Sequence, residues 1–347
     1  MGDRHQPSTG PYGPLVAEQA RRRADLVLEG GGVKGVALVG AVTRLAEQGY
    51  AFPRVAGSSA GAVTAAVVAA LQRAGEPVSR LREIADGIDY RKIPDSWLPG
   101  PLALLGQGLG LLTRQGLHPG RYLRDHLAGV LADLGVRTFG DLRIGGPAGL
   151  PADPGSALPP AHRYGLVVTA SDLSEHRLLR LPWDYRLLGV DPDEQLVVDA
   201  VQASAAIPYF FQPARLAGRV LVDGGLLSNF PVALFDREDG LAPRWPTFGI
   251  KLAARAGATP TAHAAGDPLS FTVAVVETLV NAQDAAYVDG LCVQLRTTFV
   301  DTSDTSAIDF GISAERRAVL GQRGASAAQD FLDHWDEDAY RRRCRGA

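Results

Sequence analysis

The chain has 347 residues, 46% hydrophobic and 21% charged, with two cysteines and a formal net charge of −3. Two thiols in so long a chain exclude a disulfide scaffold, and the apolar content excludes disorder of the bulk. The 35 basic and 38 acidic residues nearly cancel, leaving no overall field to attract nucleic acid.

The first 23 residues are polar and rich in Pro and Gly, and read as a disordered tail. They contain no apolar run of a secretory signal, and Gln6 stands where myristoylation needs Ser or Thr. Arg345 and Gly346 after Cys344 break a prenylation box. The nearest approach to a membrane span, residues 55–71, is short and interrupted by Gly57, Ser58, Ser59, Gly61 and Thr64. The cytoplasm is the default expectation, with peripheral membrane contact compatible with it, and two thiols suit a reducing compartment.

A β signal at Leu26, Val27 and Leu28 stops at Gly30, Gly31, Gly32 and Gly35. Val36, Val39, Val42 and Leu45 then carry helical spacing, and Gly49 closes that helix. A short strand is expected over 52–55, followed by GSSAG and a small-residue helix over 62–72. This β–turn–α–β–turn–α order implies parallel strands joined by right-handed crossovers. Residues 76–142 read as mostly helical around a Leu- and Gly-rich stretch at 98–112. Residues 145–163 form a loop of turn-formers. Strands follow at 166–169, 178–181, 219–222 and 247–252, with helices at 197–205, 268–289 and 313–335. The expectation is one domain over 24–336, with 145–163 as a surface excursion and 337–347 as a basic tail.

The glycine loop GGGVKG, residues 30–35, sits between a strand and a helix N-terminus. It matches a dinucleotide fingerprint, but residues 50–58 lack the acid that would hold a ribose. It also fails the P-loop pattern, because Val36 and Ala37 follow Gly35. What remains is physical: backbone N–H groups at the positive end of a helix can hold an anion or a developing oxyanion. The bland alternative is a tight turn needing glycine for sterics alone.

Gly57, Ser59 and Gly61 form G-x-S-x-G after an apolar strand and before a helix, the context of a nucleophile turn. A serine hydroxyl needs a base. None of the seven histidines (His5, His118, His126, His162, His176, His263, His334) sits at a strand end followed by a turn. Asp223 does, ending the strand RVLV before Gly224 and Gly225. A D-G pair usually marks a hairpin, yet LLSNFP does not resume as an alternating strand. A partly desolvated aspartate can accept a serine proton directly.

GGGVKG after a strand, GSSAG, the segment ASAAIPYFFQP at 203–213, and DGG together resemble the patatin-like phospholipases. The resemblance spans about residues 26–232. It implies a three-layer α/β/α fold with a mostly parallel sheet, and a Ser–Asp dyad hydrolase of lipid acyl esters. Ser59 would be the nucleophile and Asp223 the general base. The oxyanion hole would come from Gly30, Gly31, Gly32 and Val33, with Lys34, Gly35, Gly57, Gly61, Gly224 and Gly225 in support. Glu29 replaces the frequent Asp before the glycines, and Lys34 stands where the family often has Arg. No cofactor or metal is implied, and no EF-hand or zinc motif is present.

Two other classes stay open at this level. One is a Ser-His-Asp esterase of the α/β-hydrolase kind; the other is a nucleotide- or phosphate-binding regulatory domain using the glycine loop. The basic clusters at 21–23 and 341–345 read as solvated tails, with anionic lipid headgroups as the alternative. The stretch 98–112 reads as a buried helix pair, with a mobile cap over an acyl site as the alternative.

Overall fold

The computed structural model describes residues 22–95, 116–144, 159–237, 245–253 and 290–344, together with positions 278 and 288. The expectations for 98–112 and 268–289, and most of 145–163, lie outside these residues.

Strand β1, Asp25–Leu28, is buried along its whole length, as a central parallel strand must be. Helix α1, Val36–Glu47, buries Leu38, Ala41, Val42 and Leu45. Strand β2 is Val55–Gly57 and helix α2 is Ala60–Ala74. β2 begins later than the sequence suggests, because the Phe52 backbone is claimed by a side chain. Gln72 of α2 accepts from the Phe52 N–H and donates to its carbonyl, both at 2.8 Å. This pairing also satisfies the buried Gln72 amide. Every residue of α2 from Ala65 to Gln72 is buried, so its small side chains let neighbours pack closely on all sides. Gly75, in the left-handed region, caps the helix.

Helix α3 is Arg80–Asp86, strand β3 is Gly116–His118, and helix α4 is Arg121–Asp133. The long strand β4, Leu166–Asp172, is followed by β5, Arg177–Leu181, and helix α5, Val197–Ser204. Strands β6 (Tyr209–Phe211), β7 (Ala214–Leu216) and β8 (Arg219–Asp223) come next. Strand β9 is Thr247–Lys251, helix α6 Leu291–Gln294 and strand β10 Thr297–Phe299. The long helix α7, Ala314–His334, packs on α1, and α8 is Glu337–Cys344.

The fold is α/β, a three-layer arrangement around a mostly parallel sheet in the order β10-β9-β1-β2-β4-β8-β7, with β5 also on β4. The pairs from β10 through to β4 are parallel; β5, β7 and β8 pair antiparallel to their neighbours. A separate small sheet joins β3 to β6.

One detail of this sheet places the site. β5 lines one edge of β4 from Val168 to Asp172. On the other edge, Gly57 of β2 pairs with Val168, while Asp223 of β8 pairs with Ala170. The two strands therefore run head to head along a single edge, and their C-terminal ends meet beside Thr169.

Two expectations are corrected at the C-terminus. Residues 337–344, read as part of a basic tail, form a helix with Tyr340 buried against Trp335. Cys292 and Cys344, read as separate thiols, are joined in a disulfide that ties α6 to α8. Folding brings the two helices together; nothing local to either cysteine announces the partner. Among the described residues no helix is long and apolar enough to cross a membrane.

Candidate active site

Ser59 sits between β2 and α2 with φ 51° and ψ −122°, a conformation rare for a residue with a Cβ. The strain exists because the chain must reverse from strand to helix within two residues. Gly57 and Gly61 make that reversal sterically feasible. A Cβ on Gly57 would lie 2.3 Å from the Gly61 carbonyl carbon, and one on Gly61 would lie 2.3 Å from the Leu28 oxygen.

Polar contacts hold the turn from beneath. The Ser59 N–H donates to Ser204 Oγ at 2.9 Å, from the last residue of α5. The buried Ser58 hydroxyl bonds Thr169 Oγ1 at 2.5 Å and reaches the Ser228 carbonyl at 2.7 Å. Ser58 thus joins the nucleophile turn both to the gap in β4 and to the segment beyond Asp223.

Asp223 closes β8 with its N–H donating to the Ala206 carbonyl at 2.9 Å. Its carboxylate accepts from the Gly225 N–H at 2.7 Å and lies close enough to the Ser59 hydroxyl for that group to favour its charged form. The DGG sequence is therefore a cap on a short helical turn, Gly224–Leu226, and not a hairpin. Burial pushes the Asp223 pKa up to about 6, while the nearby Ser59 hydroxyl and the Gly225 N–H pull it down. A buried carboxylate with a pKa raised toward neutrality, beside a serine hydroxyl, has the properties of a general base.

The glycine loop lies against Ser59. A Cβ on Gly30 would meet Ser59 Cβ at 3.0 Å and Asn229 Oδ1 at 2.3 Å. Of the four amides singled out by sequence, two are engaged within the protein. The Gly30 N–H donates to the Asn229 carbonyl at 3.2 Å, and the Val33 N–H donates to the Ala307 carbonyl at 2.9 Å. Gly31 and Gly32 make no such amide bond among the described residues. Lys34 and Gly35 belong to the single 3-10 turn, Gly32–Gly35, that leads into α1.

A buried polar network anchors this loop. The Glu29 carboxylate bonds the Lys251 ammonium and the Leu252 N–H, and accepts from Asn229 Nδ2 at 3.2 Å. Asn229 also donates to the Gly30 carbonyl at 3.2 Å. Asn229 thus holds both the N–H and the carbonyl of Gly30 while sitting six residues beyond Asp223.

In front of Ser59 opens an apolar cavity of about 100 Å³. It is walled by α1 (Val36, Val39), α2 (Val63, Val67), α3 (Leu81, Ile84) and by Phe211 and Phe310. Apolar walls converging on one polar nucleophile suit a hydrocarbon attached to a reactive group.

The described histidines are engaged elsewhere. His118 bonds the Asp95 carbonyl and packs on Phe210, His126 stacks on Tyr122, and His162 stacks on Trp183. His176 and His334 lie on the surface. The sequence reading missed Ser58, Thr169, Ser204, Asn229 and Lys251. Only Ser58 and Asn229 had a local signal, as neighbours of GxSxG and DGG; the others are ordinary residues made important by long-range contact.

A family model described as "Patatin-like phospholipase" matches residues 26–236. The protein YqhO of Bacillus subtilis is 34% identical over 318 residues, covering 90% of this chain and 98% of that one. The NTE family protein Mb2594 of Mycobacterium bovis is 29% identical over 233 residues, 65% of this chain but only 30% of the relative. Among solved structures, VipD from Legionella pneumophila superposes with a TM-score of 0.50 at 21% identity, covering 90% of this chain and 67% of that one. The nucleophile turn, the glycine loop and the aspartate all fall within the matched span. The chain belongs to the patatin-like phospholipases, a family of lipid hydrolases.

Proposed function

We propose that this chain cleaves carboxylic esters of lipids through a Ser59–Asp223 dyad and an acyl-enzyme intermediate. The observation that carries the reading is the placement of Ser59, on the wall of an apolar cavity, beside buried Asp223, whose pKa its hydroxyl lowers. Asp223 takes the Ser59 proton as Oγ attacks the ester carbonyl. The negative charge that develops on the carbonyl oxygen falls to the amides of Gly31 and Gly32, since those of Gly30 and Val33 are already committed. Protonated Asp223 gives its proton to the leaving alcohol, and the acyl group stays on Ser59. Water then enters and loses a proton to Asp223 as its oxygen attacks the acyl carbonyl; the bond to Ser59 breaks, Asp223 returns that proton to Ser59 Oγ, and the acid is released. Every step uses groups of this chain, and none calls for a cofactor.

Ser204 and Glu29 act one layer out. Ser204 fixes the Ser59 backbone, and Glu29 with Lys251 and Asn229 fixes the loop that would bind the oxyanion. The substrate class is a phospholipid, lysophospholipid or neutral lipid ester met at a membrane surface.

The deciding experiment is covalent labelling with an alkyl fluorophosphonate. Labelling of the folded wild type that disappears in Ser59→Ala is the expected result. Folded wild-type protein that takes no label would end the hydrolase reading.

A further inference from the structure

The cavity in front of Ser59 has a definite length. Its α2 lining is Ser59, Ala60, Val63, Thr64 and Val67, one face of the helix taken turn by turn from the nucleophile inward. The next residues on that face, Ala70 and Leu71, are fully buried in the core and do not line it. Eight helical residues separate Ser59 from Val67, which at the standard rise is about 12 Å.

Leu81 closes the same end. It lies in the first turn of α3, which the short connection 75–79 joins to the C-terminal end of α2, away from Ser59. Leu81 is 2% exposed and is shared between the cavity wall and the core. Ile84, Ala85 and Ile88 then carry the wall onward from Leu81.

An extended hydrocarbon advances ~1.3 Å per carbon, so about 12 Å takes roughly nine carbons. There is no comparable space for a second chain among the described residues. The neighbouring cavity, beyond the shared wall of Leu123, Ala205 and Phe211, offers about 20 Å³.

We infer that this cavity is a ruler for one straight acyl chain of about eight to ten carbons, with Val67 and Leu81 as its end stop. The inference rests on the hydrolase reading for its catalytic consequence, but the cavity itself can be tested without catalysis. Among the described residues, polar side chains on its wall are confined to Ser59, Thr64 and Tyr90. Thr64 Oγ1 is spent on the Ala60 carbonyl at 3.1 Å, so the deep part offers a chain nothing but apolar contact.

Two assays test the ruler. The first measures kcat/KM for p-nitrophenyl esters of four to sixteen carbons, each below its aggregation threshold. It should rise about fourfold per added methylene up to eight to ten carbons and then fall. Val67→Phe should move the optimum to shorter chains and Leu81→Ala to longer ones. The second uses Ser59→Ala protein and calorimetric titration with uncharged methyl alkyl ketones of six to sixteen carbons, where affinity should break at the same length. A smooth rise to sixteen carbons in both assays, or an optimum unmoved by both substitutions, would overturn the ruler. No hydrolysis at any length with the affinity break retained would support the ruler and sink the hydrolase reading. Hydrolysis without a break would do the reverse.

Discussion

The Asp223 carboxylate stands beside Ser59 across a gap in the sheet, where β2 and β8 meet end to end along β4. Neither side chain is placed by its own loop alone. The register of both strands against one partner brings their ends together.

The raised pKa of Asp223 makes activity dependent on acid. Only the ionised carboxylate can take the Ser59 proton, so kcat/KM should rise with pH through about 6 and level off above it. A pH–rate profile without an acidic limb in that region would show that Asp223 is not the base.

The same shift predicts a trade between activity and stability. Protonated Asp223 suits its buried site, so the folded state binds this proton more tightly than the unfolded chain. The stability this provides is full below about pH 4 and is lost as pH rises through about 6. Asp223→Asn should therefore abolish ester hydrolysis yet stabilise the protein at about pH 8 by on the order of 2–3 kcal/mol. The gain should vanish at about pH 4, which urea titrations at the two pH values would reveal.

Ser204 is fully buried and accepts the Ser59 N–H. Ser204→Ala leaves that amide without a partner in a dry place, costing about 1–3 kcal/mol of stability. Ser59 also loses a constraint on its strained backbone, so kcat should fall about tenfold with little change in KM. Steady-state kinetics on the folded variant would check the split.

Glu29 and Lys251 form a buried ion pair beside the glycine loop. Removing one partner leaves the other charge uncompensated, so Glu29→Gln should cost about 3–5 kcal/mol. The double change Glu29→Gln with Lys251→Met should recover much of that stability without recovering kcat, because the loop anchor is still missing. Thermal melts and rates on the three variants give the full cycle.

Gly61→Ala should fail where most Gly→Ala changes in helices help. Its new Cβ would press within 2.3 Å of the Leu28 oxygen, between α2 and the central strand. The expected loss is about 3 kcal/mol or more, seen as little folded protein on expression.

Much of the site is legible in sequence because its strongest signals are local. G-x-S-x-G encodes a reversal that only small flanking residues allow. The run at Gly30–Gly32 marks a helix entry free of Cβ atoms, and Asp223–Gly225 marks a capped turn. Each is a steric or hydrogen-bonding rule acting within five residues, so Ser59, Asp223 and the loop stand out as candidates in the sequence alone. The α/β order followed likewise, from apolar runs separated by turns.

The strand expected at 52–55 shows where such reading stops. Its residues are β-like, but Gln72 takes the Phe52 backbone and Pro53 lacks an N–H, so the ladder begins only at Val55. The same limit hides Ser204 and Lys251, which look like any helix serine or strand lysine. It also hides the pairing of Cys292 with Cys344.

The sequence by itself determined which residue types stand at the turns, because local backbone geometry is written in neighbouring residues. Only the tertiary structure decided that two of the four glycine-loop amides are engaged within the protein, since Asn229 and Ala307 reach them from far along the chain. It alone decided how deep the apolar cavity runs, because Val67 and Leu81 become an end stop only when α2 and α3 pack. Composition announced a large apolar core with little net charge; packing decided where that core was left open, beside Ser59.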